Sequence, residues 1–464
     1  MNAIRPNSAM ARDIAFHVHQ QTDLKAHREH GGTLYTKGKG IYVYDENGKE
    51  YIEAMAGLWC ASLGFSEKRL ADAAYKQLLE LPYYHTFFGN GHVLAGELAE
   101  RLIAMAPVPF SKVLFQCSGS ECNDAAVKLI WYYHNAIGKP EKKKIIGRER
   151  GYHGNTIASV SISGQPHMRA GFDIPLPQFK HTENPNYYRF HKDGESEEQY
   201  ADRMAEALEK LILAEGPETV AAFFGEPVQG GGGAITPPRT YWAKIQAVLK
   251  KYDVLFVADE VICGFGRTGN MWGCQTYDMK PDMLSCAKAL SASYQPISAL
   301  MISEKIYEAM VSQSETHGTF GHGFTYGGHP VACAVAIETL KIYEERDIIG
   351  HVKSVSPAFL AMLEKFRDHP LVGDVRGVGL IAGVELMADK VGREPFPAAR
   401  KVGITVMNKA AENGLIVRAI GDRIAFTPPL IITEAQIAEM GSRFGRALDA
   451  TWAELKADGT AKAA

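Results

Sequence analysis

Two short apolar runs that lie close together in the chain end on groups of opposite charge, and this pattern constrains the fold most. Residues 254–258 are apolar and are followed by Asp259 and Glu260, and residues 283–287 are followed by Lys288. Apolar runs of this length are typical of buried strands in a parallel sheet. Because the carboxyl ends of parallel strands share one edge of the sheet, where open α/β sheets bind ligands, we expect Asp259 and Lys288 to lie side by side.

A carboxylate beside a lysine at such an edge suits one cofactor in particular, pyridoxal 5′-phosphate (PLP). The acid can hold the pyridinium nitrogen of the cofactor, and the lysine can form a Schiff base with its aldehyde. Asp259 and Lys288 therefore predict a PLP site.

Strand and helix patterns alternate through residues 110–300, which favours a mostly parallel sheet with helices on both faces. Residues 176–200 interrupt this alternation as a polar insertion in which no strand is expected. After residue 330, short strands, one of them predicted at residues 415–418, mix with helices as in a smaller α+β domain. The predicted domains are residues 1–70 (an N-terminal segment that joins the small domain), 71–330 (the large domain) and 331–464 (the small domain).

Three loops carry residues that suit a planar, phosphorylated ligand. Gly119 and Ser120 open a helix directly after a strand, which favours a phosphate seat, although the same residues also form an ordinary helix cap. Tyr152 lies between two glycines, where it either stacks on a ring or belongs to a tight turn. Residues 82–89 are rich in aromatic side chains, which is consistent with a core patch or with the wall of a pocket or subunit interface.

A glycine-rich segment matches the dinucleotide-binding fingerprint literally, with Gly264, Gly266 and Gly269 at the required spacing. The fingerprint needs these glycines to open a helix directly after the strand. Here several residues intervene, and residues 270–281 have no helical periodicity. An NAD-dependent dehydrogenase is therefore disfavoured.

No metal site is expected from the sequence. His17 and His19 are two residues apart, but neither an acidic nor a thiol partner was recognised near them, and the histidines of residues 317–330 have no carboxylates beside them. The seven cysteines are scattered without a pair two residues apart, which favours reduced thiols.

Charge and hydropathy exclude several other classes of partner. The net charge is -3 and the isoelectric point is about 6.6, so neither nucleic acid nor an anionic membrane is an expected partner. No apolar run of about 18 residues occurs, and the N-terminal residues carry no apolar signal segment. We expect a soluble, cytoplasmic protein.

A set of short motifs in a fixed order carries a family resemblance. The motifs are Ser118-Gly119-Ser120-Glu121, Gly151-Tyr152-His153-Gly154, Glu226-Pro227, Asp259-Glu260-Val261, residues 264–269, Lys288, Phe324-Thr325 and Gly328-His329-Pro330. With them the sequence resembles the class III (omega-type) aminotransferases, which are PLP-dependent enzymes of fold type I, the aspartate-aminotransferase-like α/β fold.

The resemblance implies roles for individual residues. Lys288 would be the catalytic lysine, bound to PLP as a Schiff base and shuttling the proton, and Glu226 would belong to the surrounding hydrogen-bond network. The remaining cofactor-binding positions would be Asp259 at the pyridinium nitrogen, Gly119 and Ser120 at the phosphate, Tyr152 and Val261 on the two ring faces, and Thr325 at the phosphate across a dimer interface.

The resemblance also implies a subgroup. Ile262 and Gly231 stand where relatives that use glutamate, ornithine or γ-aminobutyrate (GABA) carry a glutamine and a glutamate, and both changes resemble the amine:pyruvate subgroup. Gln21 departs from that subgroup, which often has an aromatic residue there. The substrate-binding residues implied are Trp59, Phe87 (from the partner subunit), Tyr152, Gly231 and Arg418, the last a mobile arginine for the substrate carboxylate.

The expected function is that of an omega-transaminase that moves an amino group from an arylalkylamine, a diamine or an omega-amino acid to pyruvate by a ping-pong mechanism. Two alternatives stay open: a decarboxylase or aminomutase of the same fold, and an aminotransferase that uses 2-oxoglutarate. A non-catalytic protein with a relic site is disfavoured because both Asp259 and Lys288 are present. The expected partners are a small-molecule amine donor, a keto-acid acceptor and a second copy of the chain, as a homodimer with shared active sites or a dimer of dimers.

Overall fold

The strands of the computed structural model form three sheets, and the structure describes residues 6–459. Residues 1–5 of the predicted N-terminal segment and residues 460–464 of the predicted small domain lie outside the described residues. In chain order the strands are β1 (Tyr35–Lys39), β2 (Tyr42–Asp45), β3 (Glu50–Glu53), β4 (Lys112–Gln116), β5 (Lys144–Arg148), β6 (Phe179–Thr182), β7 (Val220–Gly225), β8 (Leu255–Asp259), β9 (Met283–Cys286), β10 (Ser298–Ile302), β11 (Val372–Val378), β12 (Ile381–Leu386), β13 (Leu415–Ile416), β14 (Arg418–Ala419) and β15 (Arg423–Phe426).

Helices connect and cover these strands, and two short 3-10 helices comprise Lys288–Ser291 and Ala398–Arg400. Within residues 6–459, no helix combines the length and the apolar character needed to cross a membrane. The α-helices are α1 (Ala9–Phe16), α2 (Leu24–His30), α3 (Ala56–Trp59), α4 (Lys68–Glu80), α5 (Val93–Ala104), α6 (Gly119–Ala136), α7 (Ile157–Ile162), α8 (Pro166–Arg169), α9 (Tyr187–Phe190), α10 (Glu197–Glu215), α11 (Tyr241–Lys251), α12 (Gly273–Thr276), α13 (Glu304–His317), α14 (Pro330–Glu345), α15 (Ile348–Glu364), α16 (Val402–Glu412) and α17 (Glu434–Ala457).

The largest sheet has seven strands in the order β4-β10-β9-β8-β7-β5-β6. Strand β10 runs antiparallel to both of its neighbours, and the other neighbouring pairs are parallel. The prediction of a mostly parallel sheet is therefore confirmed. The α/β class of the fold is confirmed with it.

Helices cover both faces of this sheet, which explains why its central strands are apolar without alternation. Phe223 of β7 packs on one face in the same cluster as Trp242 of α11. The next residue, Phe224, packs on the other face in the same cluster as Ile130 of α6. All residues of β7 and β8 are buried, so a polar side chain at the end of such a strand is held in a fixed position.

Two smaller sheets bring the beginning and the end of the chain together. One has the order β1-β2-β3-β13, in which β3 pairs with β13 in parallel, and the other has the antiparallel order β11-β12-β15-β14. The single strand predicted at residues 415–418 is wrong, because Leu415–Ile416 and Arg418–Ala419 belong to different sheets. The predicted domain boundaries after residues 70 and 330 stay predictions.

Two further expectations need correction. The polar insertion at residues 176–200 contains β6, an edge strand whose polar side chains fit its partly solvated position. Around His17 the chain forms α1 and α2, and the carboxylate of Asp13, four residues before His17, contacts the side chains of both His17 and His19. The expectation that no acidic partner lies near these histidines is therefore wrong, because helical spacing brings Asp13 to them.

Candidate active site

Strands β8 and β9 bring the predicted acid and lysine to one edge of the large sheet. The two strands are parallel neighbours with Asp259 opposite Ser285, and Lys288 follows three residues later. Lys288 begins the 3-10 helix with a φ of 48°, an unfavourable backbone angle for a lysine. Burial lowers the pKa of Lys288, which favours its neutral, nucleophilic amine.

The carboxylate of Asp259 is buried and surrounded by hydrogen-bond donors. Its Oδ2 accepts hydrogen bonds from Nδ2 of Asn123 and from Nδ1 of His153, each at 2.8 Å. Its Oδ1 accepts one from the backbone N–H of Val261 at 3.1 Å. Because a buried carboxylate needs hydrogen-bond donors in place of water, these contacts hold the Asp259 carboxylate in one orientation.

The N-terminus of α6 leaves backbone donors available for an anion. Ser118 caps the helix by accepting a hydrogen bond from Glu121 at 3.2 Å. Among the described residues, the N–H groups of Gly119 and Ser120 donate to no protein acceptor. A Cβ added at Gly119 would lie 3.0 Å from the side chain of Val261, so Gly119 and Val261 are close neighbours. Free N–H groups at a helix N-terminus are the expected seat of a phosphate.

Glu226 joins the loop of Tyr152 to the glycine run 230–233. Its Oε1 accepts the N–H of Tyr152 and its Oε2 accepts the N–H of Gly230, both at 3.0 Å. Burial raises the pKa values of Glu226 and Tyr152. A Cβ at Gly231 would lie 2.7 Å from the Cβ of Tyr152, so only glycine leaves Tyr152 in this position.

Trp59 forms an apolar wall together with Ile262. Both are buried in one cluster, and the Trp59 ring would lie 3.6 Å from a Cβ at Gly230. Trp59 has a φ of 65° within the irregular segment α3. The carboxylate of Glu53 holds this segment by accepting the N–H groups of Met55, at 3.0 Å, and of Gly57. A positive φ at a tryptophan is a strained backbone conformation, and it persists only where the surrounding contacts enforce it.

Arg418 contributes a cation near Tyr152 and Lys288. It lies half-buried on β14, and burial lowers the pKa of its guanidinium although the nearby Tyr152 hydroxyl opposes this effect. Within residues 6–459, its side chain makes no hydrogen bond and no ion pair with protein groups. Lys288 lies within electrostatic range of Arg418 and Asp259. A guanidinium without a protein partner is available to an anionic substrate.

Thr325 and Phe87 lie apart from this group within the same chain. Thr325 is exposed, and its carbonyl accepts a hydrogen bond from the Tyr83 hydroxyl at 2.8 Å. The ring of Phe87 would lie 2.7 Å from a Cβ at Gly323. Gln21 is exposed with a φ of 46°. Thr325 and Phe87 thus share one loop surface, and their expected roles towards a neighbouring subunit stay predictions.

The sequence reasoning missed several supporting residues. Asn123 and His153 hold Asp259, and Arg148 lies beneath Glu226, where its Nη2 donates to the Glu226 carbonyl at 2.6 Å. Arg148 also lies 4.9 Å from the ring centroid of Trp242. Asn123 gave a usable sign in the sequence, because it is a polar residue one helical turn after Gly119 on the same helix face.

The site therefore fits PLP on its own geometry: a fixed buried carboxylate, free N–H groups at a helix N-terminus, and a desolvated lysine between them. Together the fold and the site define a PLP-dependent enzyme of fold type I. The chain belongs to the class-III aminotransferases, since the family model Aminotransferase class-III matches residues 25–448. Members of this family use PLP as their cofactor.

Comparisons with individual proteins agree on this family. The chain is 52% identical over 424 residues to gamma-aminobutyrate transaminase 1, mitochondrial, of Oryza sativa subsp. indica, which covers 90% of this chain and 82% of that protein. It is 50% identical over 416 residues to gamma aminobutyrate transaminase 3, chloroplastic, of Solanum lycopersicum, which covers 89% of this chain and 80% of that protein. The solved structure of the omega transaminase from Pseudomonas jessenii in complex with PMP is similar with a TM-score of 0.96 and 52% identity, over 98% of this chain and 100% of that chain.

Proposed function

We propose that this aminotransferase moves an amino group from a primary amine to pyruvate. One observation carries the proposal: the guanidinium of Arg418, which has no protein partner within residues 6–459, lies within electrostatic range of Lys288. The apolar side chains of Trp59 and Ile262 adjoin the glycine run at Gly230. An apolar substituent of an amine suits the wall, and the carboxylate of a keto acid suits the guanidinium.

The residues of this chain hold the cofactor and move one proton. When bound, PLP supplies an electron sink for the carbon that carries the amino group. Asp259 would hold the pyridinium nitrogen and keep it protonated, since Asn123 and His153 fix the position of its carboxylate. The Nζ atom of Lys288 accepts the proton from the substrate carbon and returns it on the other side of the reaction. Its lowered pKa leaves more of the neutral amine for this task.

The same pocket has to accept substrates of two kinds in turn. A carboxylate that is buried without a partner is costly, so Arg418 pairs it while a keto acid is bound. When an apolar amine is bound, the long arginine side chain turns away, which its freedom from protein hydrogen bonds allows. Trp59 and Ile262 then contact the apolar substituent.

Gamma-aminobutyrate is a second candidate donor, favoured by the names of the relatives from rice and tomato. It is an omega-amino acid, with a carboxylate at the end opposite to its amine. Arg418 would pair that carboxylate as it pairs the carboxylate of pyruvate. We therefore include omega-amino acids of this type among the proposed donors.

A second copy of the chain is the proposed partner. The loops of Phe87 and Thr325 expose apolar side chains, among them Phe88 at 93% and Tyr326 at 61% of its full accessible area. The rings of Tyr83, in the loop of Phe87, and Tyr326, in the loop of Thr325, lie 5.9 Å apart. The exposed side chains of the two loops therefore form one surface. Exposed apolar patches of this kind mark interaction sites. In a homodimer this surface would cover the open side of the neighbouring pocket.

A panel of donors and acceptors tests the proposal. Purified holoenzyme is given 1-phenylethylamine, gamma-aminobutyrate or a diamine together with pyruvate or 2-oxoglutarate, and the amino acid formed is quantified. We expect one alanine for each donor molecule oxidised when pyruvate is present. Glutamate formation that clearly exceeds alanine formation would overturn the choice of acceptor. Release of CO2 or isomerisation of the amine without a keto acid would instead support a decarboxylase or an aminomutase.

A further inference from the structure

Outside the active site, three imidazoles surround a single carboxylate near the N-terminus. Asp13 lies on α1, His17 follows directly after this helix, His19 lies in the connection, and His27 lies on α2. The proposed transamination uses none of these side chains. The cluster links the short helices α1 and α2, so a ligand bound to it would affect how these two helices are held together.

The nitrogen atoms converge on the two carboxylate oxygens. Nδ1 of His17 lies 3.1 Å from Oδ1 of Asp13, and Nε2 of His19 lies 2.7 Å from Oδ2. One potential ligand atom from each of Asp13, His17 and His19 lies within 4.8 Å of the others. Ligand atoms around a tetrahedral zinc ion are separated by about 3.3 Å, given bonds of about 2.0 Å, so an ion fits after the side chains close by at most about 1.5 Å.

His27 has a different position in the cluster. Its Nε2 lies 3.2 Å from Oδ2 of Asp13, its ring centroid is 4.0 Å from that of His19, and its side chain is only 8% exposed. Asp23 caps α2 and thereby fixes the helix that carries it. Carboxylate ligands of metals are commonly hydrogen-bonded on their outer side, and His27 supplies such a donor to Asp13.

The chemistry of these groups selects the type of ion. Imidazole nitrogens suit zinc, copper and nickel, whereas calcium and magnesium require mostly oxygen ligands, of which the cluster offers one carboxylate. His17 is 65% exposed, which leaves a path for an ion and room for a water as fourth ligand. If hydrogen bonds alone held the cluster, each of the three imidazoles would need a proton on the ring nitrogen that faces Asp13. A bound metal ion would replace these protons on His17 and His19.

We propose that Asp13, His17 and His19 bind a zinc ion, with His27 as the residue that orients the Asp13 carboxylate. The ion connects the end of α1 to the segment that leads into α2. None of its ligands is among the residues assigned to the PLP site.

Zinc content at controlled free zinc tests the site directly. The holoenzyme is freed of metal with a chelator, dialysed against buffered micromolar zinc, and analysed by mass spectrometry for zinc per chain. We expect one zinc ion per chain in the unaltered enzyme. His19→Ala should raise the dissociation constant for zinc at least about 100-fold, and His27→Ala should raise it about 10-fold. The matched control is His30→Ala. His30 is a half-exposed histidine on α2, the helix that carries His27, and its Nε2 lies 3.8 Å from Glu29. This control should bind zinc as the unaltered enzyme does.

A second variant keeps the test decisive if His19→Ala disturbs folding. His17→Gln changes an exposed side chain and should lower zinc affinity while melting temperature and activity without zinc stay unchanged. No bound zinc in the unaltered enzyme, or equal zinc in His17→Gln and in His30→Ala, would overturn the proposal.

Discussion

Asp259 and His153 form a buried pair in which Nδ1 of the imidazole lies 2.8 Å from Oδ2 of the carboxylate. The ring must carry its proton on Nδ1 to donate to this acceptor. Among the described residues, Nε2 of His153 has no hydrogen-bond partner. Within residues 6–459, the imidazole of His153 therefore makes its one side-chain hydrogen bond to Asp259, so substitution can test that bond.

Removing the imidazole should weaken cofactor binding. His153→Ala deprives the Asp259 carboxylate of one of its three hydrogen bonds, and a hydrogen bond to a charged group is worth about 1.5–3 kcal/mol. The dissociation constant for PLP, measured by titrating the apoenzyme and following absorbance, should rise roughly 10- to 100-fold.

His153→Asn is the matched control, because its side-chain amide can donate near the position of Nδ1. It should retain most of the cofactor affinity. Equal losses in His153→Ala and His153→Asn would show that packing, and not the hydrogen bond to Asp259, accounts for the effect.

Arg418→Ala should separate the two kinds of substrate. Pyruvate and alanine lose the partner of their carboxylate, so kcat/KM for them should fall about 100-fold, whereas an arylalkylamine should change by less than about threefold. Arg418→Lys keeps the charge but loses the planar fork and should fall between the two. Equal losses for the keto acid and the amine would contradict a carboxylate-pairing role. Steady-state kinetics with each substrate varied separately gives the comparison.

Glu260 predicts a pH-dependent contribution to stability. Burial raises its pKa from 4.5 to about 7, although the backbone N–H groups of Gly273 and Cys274 donate to its two oxygens. A carboxyl whose pKa is raised by folding favours the folded state below pH 4.5, and this contribution is lost as the pH rises through 7.

The melting temperature of the unaltered enzyme should therefore fall relative to that of Glu260→Gln between pH 4.5 and about 7, with a total effect of at most about 3 kcal/mol. The amide also loses one acceptor, but this penalty does not depend on pH. Differential scanning calorimetry at several pH values measures the difference between the two proteins. A difference that stays constant over this range would show that Glu260 is ionised throughout.

Mixed dimers test whether the active site is shared between subunits. Lys288→Ala alone and Thr325→Asp alone should each be inactive, the second because an added carboxylate repels the cofactor phosphate. When both chains are mixed under conditions that exchange subunits, the site that takes Lys288 from one chain and Thr325 from the other is intact. Half of the dimers should be mixed, and one of the two sites in each mixed dimer should work. Activity should therefore return to about a quarter of that of the unaltered enzyme. If Thr325 served its own chain, mixing would restore nothing, and Thr325→Ser should remain active in either case.

The parts of the fold that the sequence predicted are those set by periodic burial. Strands β7, β8 and β9 are buried on both faces, so they are apolar without interruption and end sharply at polar residues. The position of Asp259 opposite Ser285 follows from parallel pairing alone. Edge strand β6 escaped prediction because a partly exposed strand tolerates Lys180 and His181.

Local sequence patterns do not predict contacts between residues that are far apart in the chain. Asn123, His153 and Glu226 are far apart in the chain, and only the sheet order brings them together around Asp259 and Tyr152. The cluster at Asp13 was missed for a different reason. A carboxylate four residues before a histidine becomes its neighbour only once the intervening residues are helical, and no helix was expected there.

The acceptor preference of the enzyme tests the central proposal most directly. Enzyme loaded with the amine form of the cofactor is mixed rapidly with pyruvate or with 2-oxoglutarate, and the return of the aldehyde form is followed by its visible absorbance. We predict that pyruvate reacts at least about tenfold faster at equal subsaturating concentration, since neither Ile262 nor Gly231 offers a polar side chain to a second carboxylate. Faster reaction with 2-oxoglutarate would contradict the proposed amine:pyruvate activity.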